Sequence, residues 1–412
     1  MVELWFDFSC PYAYLASRRV KQLALPVDWR PMLLGGVFRG TGAGDGPMAT
    51  LSPQKAKHNY EDMLRWANAF GVPFRMPAAH PMRTVRALRV LLGLPHSRWP
   101  QAIEALYTAY WQKNDDLTRD DVIVRTLASS SAIDAADVAA AVARADDDSI
   151  KDELRRRTDE AIALGVFGAP AWVLREPRPM LFWGQDRIPF VEAALAGWDP
   201  EASAPPGGPR PFKAAVKARA AATLDVYFDV ASPFAYLGLT QLAGLGVTPR
   251  LHPILLGALF KDLGTANVPL FEFPAAKRRF VELDMARWAR WWGVPFDPPA
   301  KFPQRTVTAQ RICVIANEHG KGVDAGIALG RAMWAEQRDL ESDDVLREIV
   351  GRAGLPAAWV DEASTPRVKQ ALVDETARAR AAGVFGVPTF VVDGAQLFWG
   401  QDRLELVARA LA

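Results

Sequence analysis

The sequence predicts an α/β protein built as two tandem copies of one domain, each with an all-helical insertion. Three observations predict it. LWFDFSCPYAYL at residues 4–15 returns as VYFDVASPFAYL at 226–237, and FWGQDR at 182–187 returns unchanged at 398–403. The residues between return in the same order: Asp7 with Asp229, Cys10 with Ser232, Lys55 with Lys277, Arg83-Thr84 with Arg305-Thr306, Trp111 with Trp334, Phe167 with Phe385. Within a copy the apolar periodicity changes from strand-like to helical and back. The domains therefore span 1–197 and 223–412, with a linker at 198–222.

Each element follows from its own residues. Residues 3–8 are a short apolar run that reads as a strand. Pro11 suits a first helical position, where its missing N–H costs nothing, and Tyr14, Leu15 and Val20 form the apolar face of that helix. Residues 27–34 read as a second strand. Stretches 52–70, 83–93, 101–113, 119–129 and 135–145 carry Leu, Ala and Trp at helical spacing. A helix over 149–164 stops at Gly165, and strands at 171–174 and 180–183 follow. Asp393-Gly394 marks the matching turn of copy 2 as a hairpin. A last helix covers 187–196. The order β-α-β, helical insertion, α-β-β-α is a thioredoxin-like fold interrupted by a helical domain. The linker opens with Pro and Gly and closes with Ala and Lys, which predicts a coil with a helical tail.

At 412 residues, each copy has about 200 residues, enough to bury its own core. Half the residues are hydrophobic, 23% are charged, and the formal net charge is +2. That balance leaves no basic footprint for nucleic acid or an anionic membrane surface. No run approaches the ~20 apolar residues of a membrane span. MVELWFDF enters a strand without a basic and then apolar leader, so secretion is not expected, and two cysteines outside any disulfide pattern point to the reducing cytosol. Cys10 and Cys313 occupy non-equivalent positions, neither in a CxxC, and the five histidines lack ligand spacing. No disulfide framework and no metal are expected.

The candidate chemistry begins where the first strand turns into its helix. A helix N-terminus carries partial positive charge and unpaired N–H groups, so a thiol there is expected to have a lowered pKa. Cys10 is placed to be such a thiolate; Ser232 does not ionise but can donate to another molecule's thiolate, or merely cap the helix. Ala169-Pro170 and Val387-Pro388 precede a strand, and in this fold that X-Pro bond is expected to be cis, turning the preceding backbone toward the helix start. Gln185-Asp186 and Gln401-Asp402 open the last helix, as caps or as a clamp for an amino acid's two charges. Lys55 and Lys277 are carboxylate partners or solvated lysines; Arg83 and Arg305 are carboxylate clamps or surface arginines. Trp66, Trp111, Trp288 and Trp334 fall at core spacing, and Cys313 lies on an apolar helix face as an inert thiol.

FDVASPFAYLG, the LLG at 255–257, KRRFVELDMARWARWWGVPF, the FP-x-x-T turn and VFGVPTFVV followed by FWGQDRL make the chain resemble the 2-hydroxychromene-2-carboxylate isomerase family. That family is related to kappa-class glutathione transferases and, more distantly, to the disulfide oxidoreductase A (DsbA) fold. The resemblance covers both copies. It implies two DsbA-like thioredoxin domains, glutathione as cofactor and a serine that assists its thiolate, which falls on Ser232. It carries glutathione contacts to Lys277, Val387 and Asp402, and a loop asparagine to Asn267. In copy 1, Lys55, Ala169 and Asp186 remain, but Cys10 replaces the serine and CPYA offers no resolving cysteine.

The leading expectation is a glutathione-dependent cis–trans isomerase of an aromatic-degradation intermediate. The alternatives are a kappa-like glutathione transferase, a monothiol glutathione-disulfide oxidoreductase using Cys10, or a pair in which one copy only scaffolds the other. Single-copy relatives imply that the two copies pack as an internal pseudo-dimer.

Overall fold

In the computed structural model, which describes residues 1–46, 48 and 51–412, the chain forms two compact units. The first comprises Met1–Ser52, Asn59–Gly197 and Pro274–Phe280; the second comprises Pro53–His58, Trp198–Phe273 and Val281–Ala412. Each unit thus takes one short segment from the sequence of the other copy.

In the first copy, β1 (Val2–Phe6) is buried at every position, as a central strand must be when both faces are covered. α1 (Pro11–Leu23) follows, then β2 (Val27–Pro31), parallel to β1. The strand expected over 27–34 stops at Pro31, and Leu34 instead opens α2 (Leu34–Gly40). Its start is capped from a distance: Asp7 accepts from Leu34 N at 2.8 Å and Thr158 from Leu33 N at 3.0 Å. The helical section contains α3 (Pro53–Ala69), α4 (Val85–Gly93), α5 (Trp99–Thr108), α6 (Asp120–Ala128), α7 (Ala135–Arg144) and α8 (Asp148–Ala163). A π-helical turn, Ala109–Lys113, extends α5. β3 (Ala171–Leu174), β4 (Met180–Trp183) and α9 (Ile188–Leu195) complete it. The sheet order is β2-β1-β3-β4, with β3 and β4 antiparallel.

The second copy repeats the plan with β5 (Leu224–Phe228), α10 (Pro233–Leu239), β6 (Arg250–Pro253) and α11 (Leu256–Asp262). α12 (Ala275–Trp292), α13 (Val307–Glu318), α14 (Gly322–Trp334), α15 (Asp343–Arg352), α16 (Trp359–Glu362) and α17 (Pro366–Ala381) are its helical section. β7 (Thr389–Val392), β8 (Gln396–Trp399) and α18 (Leu404–Leu411) close the order β6-β5-β7-β8. The thioredoxin-like fold expected from sequence is present twice.

Residues 198–222 belong to the second unit and contain no helix, which corrects the expected helical tail. Alanine's advantage is only tenths of a kcal/mol per residue. Here fixed partners outweigh it. Ala214 N donates to Gly244 O at 2.9 Å, Arg219 N to Leu411 O at 2.8 Å, and the Arg219 guanidinium pairs with Asp393 at 2.7 Å.

One polar cluster sits on the second sheet. His252 lies between Glu375, 2.9 Å from Nδ1, and Asp225, 2.8 Å from Nε2, and stacks on Tyr227. Burial opposes the imidazolium, but the bonds to Glu375 and Asp225 together outweigh it and raise the pKa. A raised histidine stabilises the fold fully below its unfolded value of about 6.5 and loses that contribution as pH rises through the folded value. Denaturant midpoints should therefore fall above neutrality, and His252→Gln should remove that slope. An identical slope in the variant would refute the assignment.

Candidate active site

Cys10 and Ser232 occupy the same place in the two units. Each is the extended residue just before a helix, α1 or α10, with Pro at the first helical position. Each faces the carbonyl that precedes a cis-proline: Ala169-Pro170 and Val387-Pro388 are both cis. Cys10 Sγ donates to Ala169 O at 3.0 Å. Ser232 Oγ accepts from Ala235 N at 3.2 Å and donates to Val387 O at 3.4 Å. The cap and the donor therefore coexist in one hydroxyl. Gly238 of α10 lets that helix approach closely, because a Cβ there would stand 3.3 Å from Pro388 and 3.5 Å from Gln401 Cβ.

The Cys10 thiol departs from the expectation of an acidic cysteine. Burial pushes it up to about 12; the N–H groups of Ala13 and Tyr12 pull it down by less, and the charge of Asp7 adds to the rise. Desolvation thus beats the helix start. Cys313, buried in α13, is likewise raised by burial, in keeping with an inert thiol.

After the cis-prolines, Gly184 and Gly400 have φ of 107° and 108°, where a Cβ is strained. The next acid folds back over each glycine: a Cβ on Gly400 would stand 2.6 Å from Asp402 Oδ1. Asp186 pairs with Arg187 at 3.0 Å, and Asp402 with Arg403 at 3.1 Å. Gln185 and Gln401 are each 3% exposed. Gln185 Nε2 has no hydrogen-bond partner among the described residues, so the first unit holds a buried donor ready for an acceptor.

Each lysine groups with the unit built mainly from the other copy. Lys55 sits in the second unit, its Nζ 5.9 Å from the ring centres of both Phe385 and Trp399, and burial lowers its pKa. Three residues on, His58 packs on Phe385 at 5.4 Å and accepts from Trp399 N at 3.2 Å. The segment carrying Lys277 sits in the first unit, where Phe280 packs on Phe167 at 5.4 Å and Trp183 at 6.1 Å. Asn267 is exposed, with Oδ1 3.0 Å from where a Cβ on Gly257 would be, at the start of α11. Arg83 and Arg305 are exposed beside the cis bonds His80-Pro81 and Phe302-Pro303. Trp111 and Trp334 are core: their indoles donate to Phe8 O at 2.9 Å and Val230 O at 2.8 Å.

Sequence reasoning gave no role to Asp7 and Asp229. Both are buried directly below the cap residue. Asp7 accepts from Ser9 N at 3.0 Å, from Leu34 N at 2.8 Å and from the Thr84 hydroxyl. Asp229 accepts from Ala231 N at 2.9 Å, from Leu256 N at 2.8 Å and from the Thr306 hydroxyl. A charge inside an apolar strand in both copies was the available signal.

A duplicated thioredoxin-like sheet with a cysteine or serine cap facing a cis-proline defines a tandem thioredoxin-like protein. The chain belongs to the DSBA-like thioredoxin domain family, whose model matches residues 1–196 and 223–412. It is 30% identical over 202 residues to a 2-hydroxychromene-2-carboxylate isomerase of Pseudomonas putida, covering 46% of this chain and 93% of that protein. It is 28% identical over 206 residues to a glutathione S-transferase kappa 1 of Caenorhabditis elegans, covering 46% of this chain and 90% of that protein. A solved 2-hydroxychromene-2-carboxylate isomerase aligns at 23% identity and a TM-score of 0.42, covering 46% of this chain and 93% of that one. Among the described residues no helix is long and apolar enough to cross a membrane.

Proposed function

We propose that this enzyme is a glutathione-dependent cis–trans isomerase of the 2-hydroxychromene-2-carboxylate isomerase type, acting on an unsaturated aryl keto acid. The observation that carries the reading is the Ser232 hydroxyl. It is buried, oriented by Ala235 N, and bonded to Val387 O at 3.4 Å, well beyond the roughly 2.7–2.8 Å of a good O–H···O bond. Such a donor turns readily to a stronger acceptor, and a thiolate is one.

The residues fit glutathione. The Gln185 Nε2, which has no hydrogen-bond partner among the described residues, suits a carboxylate beside Asp186, and the chain entering Pro170 and Pro388 offers backbone to a peptide. Glutathione supplies a thiolate that adds to a conjugated double bond and leaves again with its electron pair once that bond has turned. In the second unit Ser232 donates to the sulfur, the Val387 backbone and Pro388 hold the cysteinyl peptide, and Gln401 with Asp402 holds the glutamyl end. Lys55 serves that site, given its position over Phe385 and Trp399, and Lys277 serves the first, with Ala169, Pro170, Gln185 and Asp186. Asn267 binds the peptide from the α11 side. Arg305 and Arg83 take the substrate carboxylate. A kappa-type transferase would use the same thiolate without returning it.

The discriminating assay gives dialysed protein a trans-benzylidenepyruvate with a trace of glutathione. Isomerisation with all glutathione recovered supports the reading. Stoichiometric conversion of glutathione to a thioether would make the enzyme a transferase, and turnover without glutathione would remove the cofactor altogether.

A further inference from the structure

We propose that Asp229 is the positioning residue of the Ser232 hydroxyl, its ionised carboxylate gathering three chain segments so that the hydroxyl faces the cis-proline carbonyl. Asp229 immediately follows the buried β5 strand, three residues before Ser232. One oxygen takes Ala231 N, next to Ser232, at 2.9 Å. The other takes Leu256 N, the first residue of α11, at 2.8 Å. Thr306, at the entry to α13, donates its hydroxyl to the same carboxylate. Asp7 holds Ser9, Leu34 and Thr84 in the same way beneath Cys10. Two copies that differ at the cap residue have kept one clamp, and the clamp sets that residue in place from below.

A carboxylate with three donors is at its best when ionised. Protonation turns one oxygen into a donor, in a place where every neighbour is already a donor, so the clamp must loosen. Burial raises Asp229 to about 6, against the bonds from Ala231, Leu256 and Thr306 that lower it. From α13 the titratable neighbour is Cys313, a buried thiol that feels the charge of Asp229 and stays neutral in this range. Arg305, adjacent to Thr306, is exposed. The hydroxyl should therefore be set at neutral pH and released as pH falls through about 6.

Only the glutathione arm of the test rests on the proposed function. In the ligand-free chain, hydrogen exchange at Ala231 and Leu256, corrected for intrinsic rates, should lose protection between neutral pH and pH 5. Asp229→Asn should show the lower protection at every pH. In the wild type, glutathione affinity should fall roughly tenfold from neutral pH to one unit below the Asp229 midpoint, following the ionised fraction. Asp229→Asn should bind at that weaker level with the step abolished. Thr306→Val should lower the clamp's protection while leaving a pH step in place. Protection that does not change with pH, or an unaltered step in Asp229→Asn, would overturn the proposal. Absence of glutathione binding at all would sink the proposed function, and the exchange data would still decide the role of Asp229.

Discussion

Ser232→Ala should lower isomerisation of a benzylidenepyruvate by about 10²-fold. Removing a donor aimed at a reactive anion costs about that much, near 2.7 kcal/mol of transition-state stabilisation. The same hydroxyl caps α10 through Ala235 N, so the variant should also lose about 1 kcal/mol of stability. The two effects separate by measurement. Thermal unfolding should show a small, cooperative shift, while turnover falls in a protein that remains folded. Full activity in the variant would place the reactive centre elsewhere, with Cys10 the next residue to test.

Cys10 should be a slow thiol. Its burial pushes the pKa up to about 12, far above the ~8.5 of a free cysteine. The thiolate fraction at neutral pH is then on the order of 10³-fold smaller than that of an exposed cysteine, and alkylation by iodoacetamide should slow accordingly. Position alone, at a helix start, predicts the opposite. The two are decided by how fully the sulfur is enclosed and by its bond to Ala169 O. Mass spectrometry after timed alkylation at several pH values gives the rate directly. A Cys10 that labels faster than a free thiol at neutral pH would show that the helix start governs after all, and would revive the monothiol oxidoreductase reading.

Much of this was legible in the sequence because the repeat supplied two readings of every element. The strand-Pro-helix turn, the two X-Pro bonds and the FWGQDR helix start were each marked twice, and local signals of that kind depend on few neighbours. What escaped reading depended on partners far along the chain. The helix α2 is fixed by Asp7 and Thr158, and neither lies within its own segment. The acidity of Cys10 turns on burial, which one turn of sequence does not report. Lys55 and Lys277 looked like residues of their own copies, and the fold carried each to the other unit. The linker's alanines suggested helix, but bonds to Leu411 and Asp393 took Arg219 instead.

Glutathione bound beside Ser232 should be held as a thiolate. The direct measurement is ultraviolet thiolate absorption while reduced glutathione is titrated into Cys10→Ala chain at neutral pH, where the buried Cys313 contributes nothing. Absorption should grow with glutathione, saturate, and be lost or sharply reduced when Ser232→Ala is added. Saturable binding by calorimetry with no thiolate absorption would contradict it.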